Sequence, residues 1–191
     1  MAVEDIAPGE TAFLLSPTAG DEHAPCRDLL DRGDPDDTAV LFIALTDTPA
    51  QRISFWEEHV GAHPARISVV SAGGTDDAGD ATGVADVRHV RSPGNLTRFG
   101  VQITEALDDL RTEYETIVVC FHSLSTLLQY AGTNQAFQFM QVLTDHFKHA
   151  GAIAHVHMSS DAHDSQTIAT FTQVFDAVVE LADDGSRKVT M

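Results

Sequence analysis

Basic residues are scarce in this chain. Eleven Lys and Arg stand against 29 Asp and Glu over 191 residues, a formal net charge of −18, with a sequence pI near 4.6. Such a surface repels phosphodiester backbones and anionic lipid, so neither nucleic acid nor membrane is expected to bind directly. Cysteine is almost missing. Cys26 and Cys120 are the only two, too few for a disulfide framework, and they read as reduced, small apolar residues. No apolar run approaches the ~18–20 residues that cross a bilayer, and the opening MAVEDIAPGE is acidic, without the charged-then-apolar order of a signal peptide. The expectation is a soluble, cytoplasmic protein.

The hydrophobic share is ordinary at 43%, and the length suits one domain over residues 1–191. Apolar runs at 11–16, 39–45, 66–72, 116–121, 152–158 and 177–182 read as strands buried on both faces. Helical patterns lie between them. Ile53, Trp56 and Val60 share the face of a helix opening near Pro49; Phe99, Ile103, Ala106, Leu107 and Leu110 mark a second, and Phe137, Met140, Leu143 and Phe147 a third. Asp164 or Ser165 caps a fourth, carrying Ile168, Phe171 and Phe175. Strands alternating with helices predict an α/β fold with a mostly parallel sheet covered on both sides. The segment 71–86, SAGGTDDAGDATGVAD, has no large apolar residue and reads as a flexible acidic loop. Asp-Gly within VVELADDGSRKVTM predicts a C-terminal antiparallel hairpin.

The stretch LLSPTAGDEHAPCRDLL (14–30) has the outline of a strand, a small-residue loop and a helix start, where phosphate-binding loops sit. A GxxxxGK[ST] loop needs glycines that turn backbone N–H groups to the phosphates, a lysine for the terminal phosphates and a hydroxyl for Mg²⁺. Here Ser16 takes the first glycine, Gly20 or Asp21 the second, Asp21 or Glu22 the lysine, and His23 the hydroxyl. The cation has become an anion. Two unit charges 4 Å apart interact by about 4 kcal/mol at an effective dielectric near 20, so the reversal moves phosphate affinity by several kcal/mol.

The run TIVVCFHSLSTLLQYAGTNQAFQFMQVLTDHFKHAGAIAHVHMSSD (116–161), continued by TIATFTQVFDAVVEL (167–181), resembles the core of RecA/KaiC-type P-loop ATPases: a strand, an S-L-[ST] turn, a long helix, a Gly-led strand, and a terminal strand after another helix. VLFIALTDTPAQRI (40–53) resembles that family's second strand. The likeness covers nearly the whole chain, and the acidic style resembles haloarchaeal members. It implies a RecA/KaiC-like three-layer α/β/α fold, a catalytic acid pair at 46–47 and a metal-binding Asp at 122. Thr46, Asp47 and His122 stand at those positions, followed by Ser123. Phosphate lysine, metal acid and acid pair are therefore degraded together.

Other clusters carry chemistry of their own. His155 and His157 alternate on one strand and share a face, with Asp161, His163 and Asp164 in the next loop, a reasonable set for Zn²⁺ that His122 could join at the sheet's carboxyl edge. His146 and His149 lie three apart on a helix and read as a solvated pair. Arg88, Arg91 and Arg98 form the one basic concentration and are interface candidates. Ser123, His157 and Asp164 contain the residue types of a hydrolase triad, but no G-x-S-x-G turn exposes the serine. The expected function is a non-catalytic regulatory or protein-interaction module with a defunct nucleotide site and no cofactor, engaging itself or a protein partner. The alternative is a nucleotide-binding switch or atypical ATPase completed by another subunit.

Overall fold

The β-branched and aromatic runs assemble into one eight-stranded sheet in the computed structural model, which describes residues 2–45, 47–73 and 85–191. β1 (Thr11–Ser16), β2 (Thr38–Ala44), β3 (Arg66–Ala72), β4 (Ala85–Val90), β5 (Thr116–His122), β6 (Ile153–Ser159) and β7 (Ala177–Leu181) are mutually parallel, and β8 (Arg187–Thr190) closes one edge antiparallel to β7. The order across the sheet is β4-β3-β2-β5-β6-β1-β7-β8. The expected hairpin is present, with Val179 opposite Val189 across the turn.

Helices cover both faces, which is why β1 and β2 are buried throughout and show no polar alternation. On one side lie α3 (Leu96–Glu113), the short α4 (Leu124–Leu127), α5 (Thr133–His149) and α6 (Ser165–Thr172), packed on Phe13, Leu41, Val119, Phe121 and Val156. On the other lie α1 (His23–Leu30) and α2 (Pro49–Phe55), the latter continued by one wider turn over Trp56–Val60, packed on Ala12, Leu14, Phe42, Val118 and Cys120. This is a three-layer α/β/α architecture with a mostly parallel sheet.

The amphipathic stripes explain how the helices seat. The five apolar residues expected on α3 are the five it buries. On α5 the buried stripe is Ala136, Met140, Leu143 and Phe147, with Phe137 half-buried against the Phe171 ring instead. Phe175 lies beyond the end of α6, in the turn before β7, where it stacks on Phe13 at 4.5 Å between centroids. Asp164 caps α6 by accepting from the Thr167 N–H.

One element departs from the sequence reading. The run 71–86 is not wholly loop: β3 continues through Ala72 and β4 begins at Ala85. The composition of β4, ADVRHV, hid it. An edge strand pairs on one side only and keeps polar side chains, and of its described side chains Val90 alone is fully buried. Positions 74–84 of the expected loop lie outside the described residues.

Candidate functional site

The carboxyl ends of β1, β2, β5 and β6 are neighbours across the sheet, and Ser16, His122 and His157 lie at or near those ends. Open α/β sheets bind ligands at this edge. After Ser16 ends β1, Pro17–Gly20 makes a tight turn closed by the Gly20 N–H on the Pro17 carbonyl at 2.8 Å. The turn is tied down by Asp161, which accepts from both the N–H and the hydroxyl of Thr18 at 2.9 and 2.6 Å. The chain then enters α1 at Glu22. This residue occupies the cap position but makes no side-chain cap bond, because its carboxylate is turned inward over the sheet.

There Glu22 bridges three groups. Ser16 Oγ donates to Oε2 at 3.0 Å, His157 Nδ1 lies 3.0 Å from the same oxygen, and His122 Nε2 lies 2.9 Å from Oε1. Burial would raise the Glu22 carboxyl, but the hydrogen bonds and charges of His122 and His157 outweigh it and hold it well below the usual carboxylate range. For His157 burial acts downward, and the neighbouring Cys120 and Glu22 overcome it, pushing the imidazole up to about 9. On the other side of His122, Nδ1 sits 3.5 Å from Asp47 Oδ2, and Asp47 is in contact with the Arg52 guanidinium. A chain of alternating acids and bases thus runs from the β1 loop to α2.

Beneath this network lies a second cluster. Glu22 and Cys26 are one helical turn apart, so both look down from α1, and Cys120 on β5 is registered opposite His155 on β6. Cys26 Sγ is 3.3 Å from His155 Nε2 and 4.0 Å from Cys120 Sγ, and Cys120 Sγ is 3.5 Å from His157 Nε2. None of the four is more than 2% exposed. Burial and the adjacent Cys120 raise the Cys26 thiol. Burial acts upward on Cys120 too, but Cys26 and the two imidazoles turn its net shift downward. Burial holds His155 below its ordinary value. Two thiols and two imidazoles converging in this way are a ligand set of the zinc type.

The sequence-derived candidates are sorted by this geometry. Of the acids expected to crowd the loop, Glu22 alone enters; the Asp21 side chain is 78% exposed and faces solvent. His23 is also outside, stacked on His59 at 4.8 Å. Thr46 lies outside the described residues. His155 and His157 do share a face and do meet further ligand-type groups, but His163 and Asp164 are not among them. His163 Nε2 contacts Ser125 Oγ at 2.9 Å, and the Asp164 carboxylate is committed to its helix cap at 2.7 Å. Ser123 caps α4 through Thr126, so no Ser-His-Asp triad forms. Of the interface candidates, Arg88 is ion-paired to Asp86, Glu105 and Asp109, and Arg91 and Arg98 are exposed. His146 and His149 lie on the surface end of α5, His149 bonded to the Asp145 carbonyl at 2.7 Å. Cys26 and Cys120 are free and buried in the apolar layer, as expected of reduced small residues, but sequence reasoning did not connect them with the two imidazoles. The usable signal was parity: Cys120 and His122 on one strand, and His155 and His157 on its neighbour, all point to the same face.

A groove of about 720 Å³ between α3 and α5, lined in part by Leu96, Val101, Phe139 and Val142, lies on the opposite layer from this chemistry. Glu22, Asp47, His122 and His157 do not line it.

No curated protein matches the chain. Among solved structures, a protein of Pyrococcus horikoshii OT3 determined in a structural study superposes with a TM-score of 0.67 at 14% identity, over 99% of this chain and 91% of that one. At that identity the likeness speaks for the fold alone. The model of a family of unknown function, DUF7504, matches residues 9–181, nearly the full length, and the chain belongs to that family.

Proposed function

We propose that this chain is a non-catalytic regulatory or protein-interaction module, built on a KaiC/RecA-like core whose nucleotide cradle has been refilled from within. The observation that carries this reading is the Glu22 bridge. In a working phosphate loop the loop supplies a cation and the neighbouring strand end supplies an acid for Mg²⁺. Here the signs are exchanged: Glu22 comes from the loop and His122 from the strand end, and they contact each other at 2.9 Å. With His157 and Ser16 also engaged, the polar atoms that a triphosphate would need are satisfied by the protein itself, and a carboxylate stands where the anion would go. Each incoming phosphate oxygen would meet Coulomb repulsion of several kcal/mol and would break charge-assisted hydrogen bonds already made.

The interaction half of the proposal is supported by the groove between α3 and α5, where Val101 and Val142 are 41% and 58% exposed. Apolar side chains grouped at one groove are a common feature of protein contact surfaces. The net charge and the absence, among the described residues, of any helix long and apolar enough to cross a membrane favour a protein partner in a cytoplasmic setting. Calorimetric titration with Mg-ATP in high KCl tests the nucleotide half: no binding heat is expected, and sub-millimolar affinity or phosphate release would replace this reading with the nucleotide-switch alternative. Light scattering on the wild type and on Val142→Asp tests the contact half, with loss of a larger species in the variant expected if the groove joins copies of the chain. Retention of a partner or assembly by Val142→Asp would place the contact elsewhere.

A further inference from the structure

The Glu22 bridge gives no role to the groups directly below it. Cys26, Cys120, His155 and His157 belong to three elements far apart in sequence, yet one ligand atom from each lies within 4.8 Å of all the others. Polar side chains this deep are costly unless each finds a partner, and His155 turns its Nε2 to the Cys26 sulfur at 3.3 Å. A packing role for two buried cysteines would not require two imidazoles to be aimed at their sulfur atoms.

Three of the six ligand–ligand edges are close to those of a coordination tetrahedron. Zn–S bonds of about 2.3 Å and Zn–N bonds of about 2.0–2.1 Å in a tetrahedron set S···S edges of about 3.8 Å and S···N edges of about 3.5 Å. The observed edges are 4.0 Å for Cys26–Cys120, 3.3 Å for Cys26–His155 and 3.5 Å for Cys120–His157. His157 presents Nε2 to the sulfur and Nδ1 to Glu22 Oε2, the carboxylate–histidine arrangement that fixes ring orientation and tautomer around bound metals. Charge also closes. Two thiolates neutralise a divalent cation, so the loaded site is a neutral unit in an apolar layer.

We propose that Cys26, Cys120, His155 and His157 form a buried Cys₂His₂ site for zinc that fastens α1 to β5 and β6. All four positions are protein ligands and the site is enclosed, which gives it a structural character without an open coordination position. Thiolate and imidazole together select zinc-type ions over Mg²⁺ or Ca²⁺. The Glu22, His122 and His157 trio is a poorer alternative, because its acid–imidazole separations of 2.9 and 3.0 Å are those of hydrogen bonds with a proton between the atoms. The zinc site does not depend on the pseudo-ATPase reading, and ATP titration does not test it.

The test uses the full chain, reduced and stripped by a chelator, then desalted after incubation with Zn²⁺ or with Co²⁺. One metal per chain by mass spectrometry, a rise in Tm with zinc, and a tetrahedral Co²⁺ spectrum carrying a thiolate charge-transfer band are expected. Cys120→Ser and Cys26→Ser should each lose that band and the retained metal. His155→Cys, which preserves a four-ligand set, should keep one metal and strengthen the band, which guards against variants that merely fail to fold. His122→Ala should leave the stoichiometry unchanged. Wild-type protein that retains no metal, or an octahedral cobalt spectrum, overturns the proposal; metal kept by Cys120→Ser and lost by His122→Ala overturns it in favour of the upper trio.

Discussion

Replacing Glu22 by Gln keeps the shape of the bridging side chain and removes its charge, so the loss measures what the acid contributes. At 3.0 Å from His157 Nδ1, a full charge pair would gain about 5–6 kcal/mol at an effective dielectric near 20, before the cost of taking both groups out of water. The carboxylate is 27% exposed and His157 only 2%, which leaves part of that cost on the imidazole and screens part of the attraction. Charge-assisted bonds contribute about 1.5–3 kcal/mol net, and glutamine can still accept from one imidazole while its amide faces the other. A net loss of about 2 kcal/mol follows. For a domain of this size each kcal/mol moves Tm by roughly 2–4 °C, so Glu22→Gln should melt about 4–8 °C below the wild type. The comparison belongs in chelator, at neutral pH and fixed KCl, with urea midpoints as a second measure. Glu22→Lys, which sets a cation against two imidazoles, should fall further. Equal melting of wild type and Glu22→Gln would show that the imidazoles do not need the acid, and the refilled cradle would lose its physical basis.

Other parts of the structure give simpler expectations. Phe99 is fully buried against Phe121 and Phe139, with centroids 6.2 and 5.9 Å away; Phe99→Ala should cost about 3–5 kcal/mol, read as a lower urea midpoint at unchanged slope. Asp164→Ala should lower Tm modestly through its lost helix cap and leave metal stoichiometry at one, whereas a loss of metal would return Asp164 to the ligand set. Asp28 is opposed by burial but held below its ordinary 3.8 by Arg187 and Arg27. Its folded value is depressed, so its contribution is present above that ordinary value and fades as pH falls through the folded one. Amide exchange in β8, which carries Arg187, should therefore quicken in acid relative to β1, and Asp28→Asn should reproduce the effect at neutral pH; exchange that is insensitive to both would discount the Arg187 tether.

The fold was legible where one physical signal acted alone. Long apolar runs with no room for a polar face could only be strands covered on both sides, and the stripe of Phe99, Ile103, Ala106, Leu107 and Leu110 could only be one face of a helix. It was illegible where two signals competed. β4 is a strand at the sheet's margin, so its alternation carries Asp, Arg and His and resembles surface loop. Phe175 has helical spacing from Phe171 but belongs to a turn, because β7 draws the chain away after Thr172. The shift on α5 from Phe137 to Ala136 has the same origin: tertiary packing chose which flank of a wide apolar stripe faces inward.

The site was half legible for a more specific reason. An acid at Glu22 and a base at His122 can be read one residue at a time, and each was singled out on the sequence for the charge it carries. The sequence order alone could not reveal that the two answer each other, since they lie 100 positions apart and meet only because β6 alone separates β1 from β5. The cysteines were lost to the same cause. Cys26 reads as an apolar residue on an amphipathic helix and Cys120 as one more buried strand residue, and both descriptions are true of each taken alone. What changes their meaning is register: His155 stands opposite Cys120, His157 follows two positions on, and α1 crosses above them. If the upper network only replaced a vanished nucleotide, nothing would need thiols beneath it. That an acid on the loop orients the very imidazole whose other nitrogen faces a thiol ties the two layers together. It predicts that Glu22→Gln, besides melting earlier in chelator, should weaken zinc retention by about 10–100-fold, measurable by competition with a chromophoric chelator, whereas unchanged retention would separate the two layers.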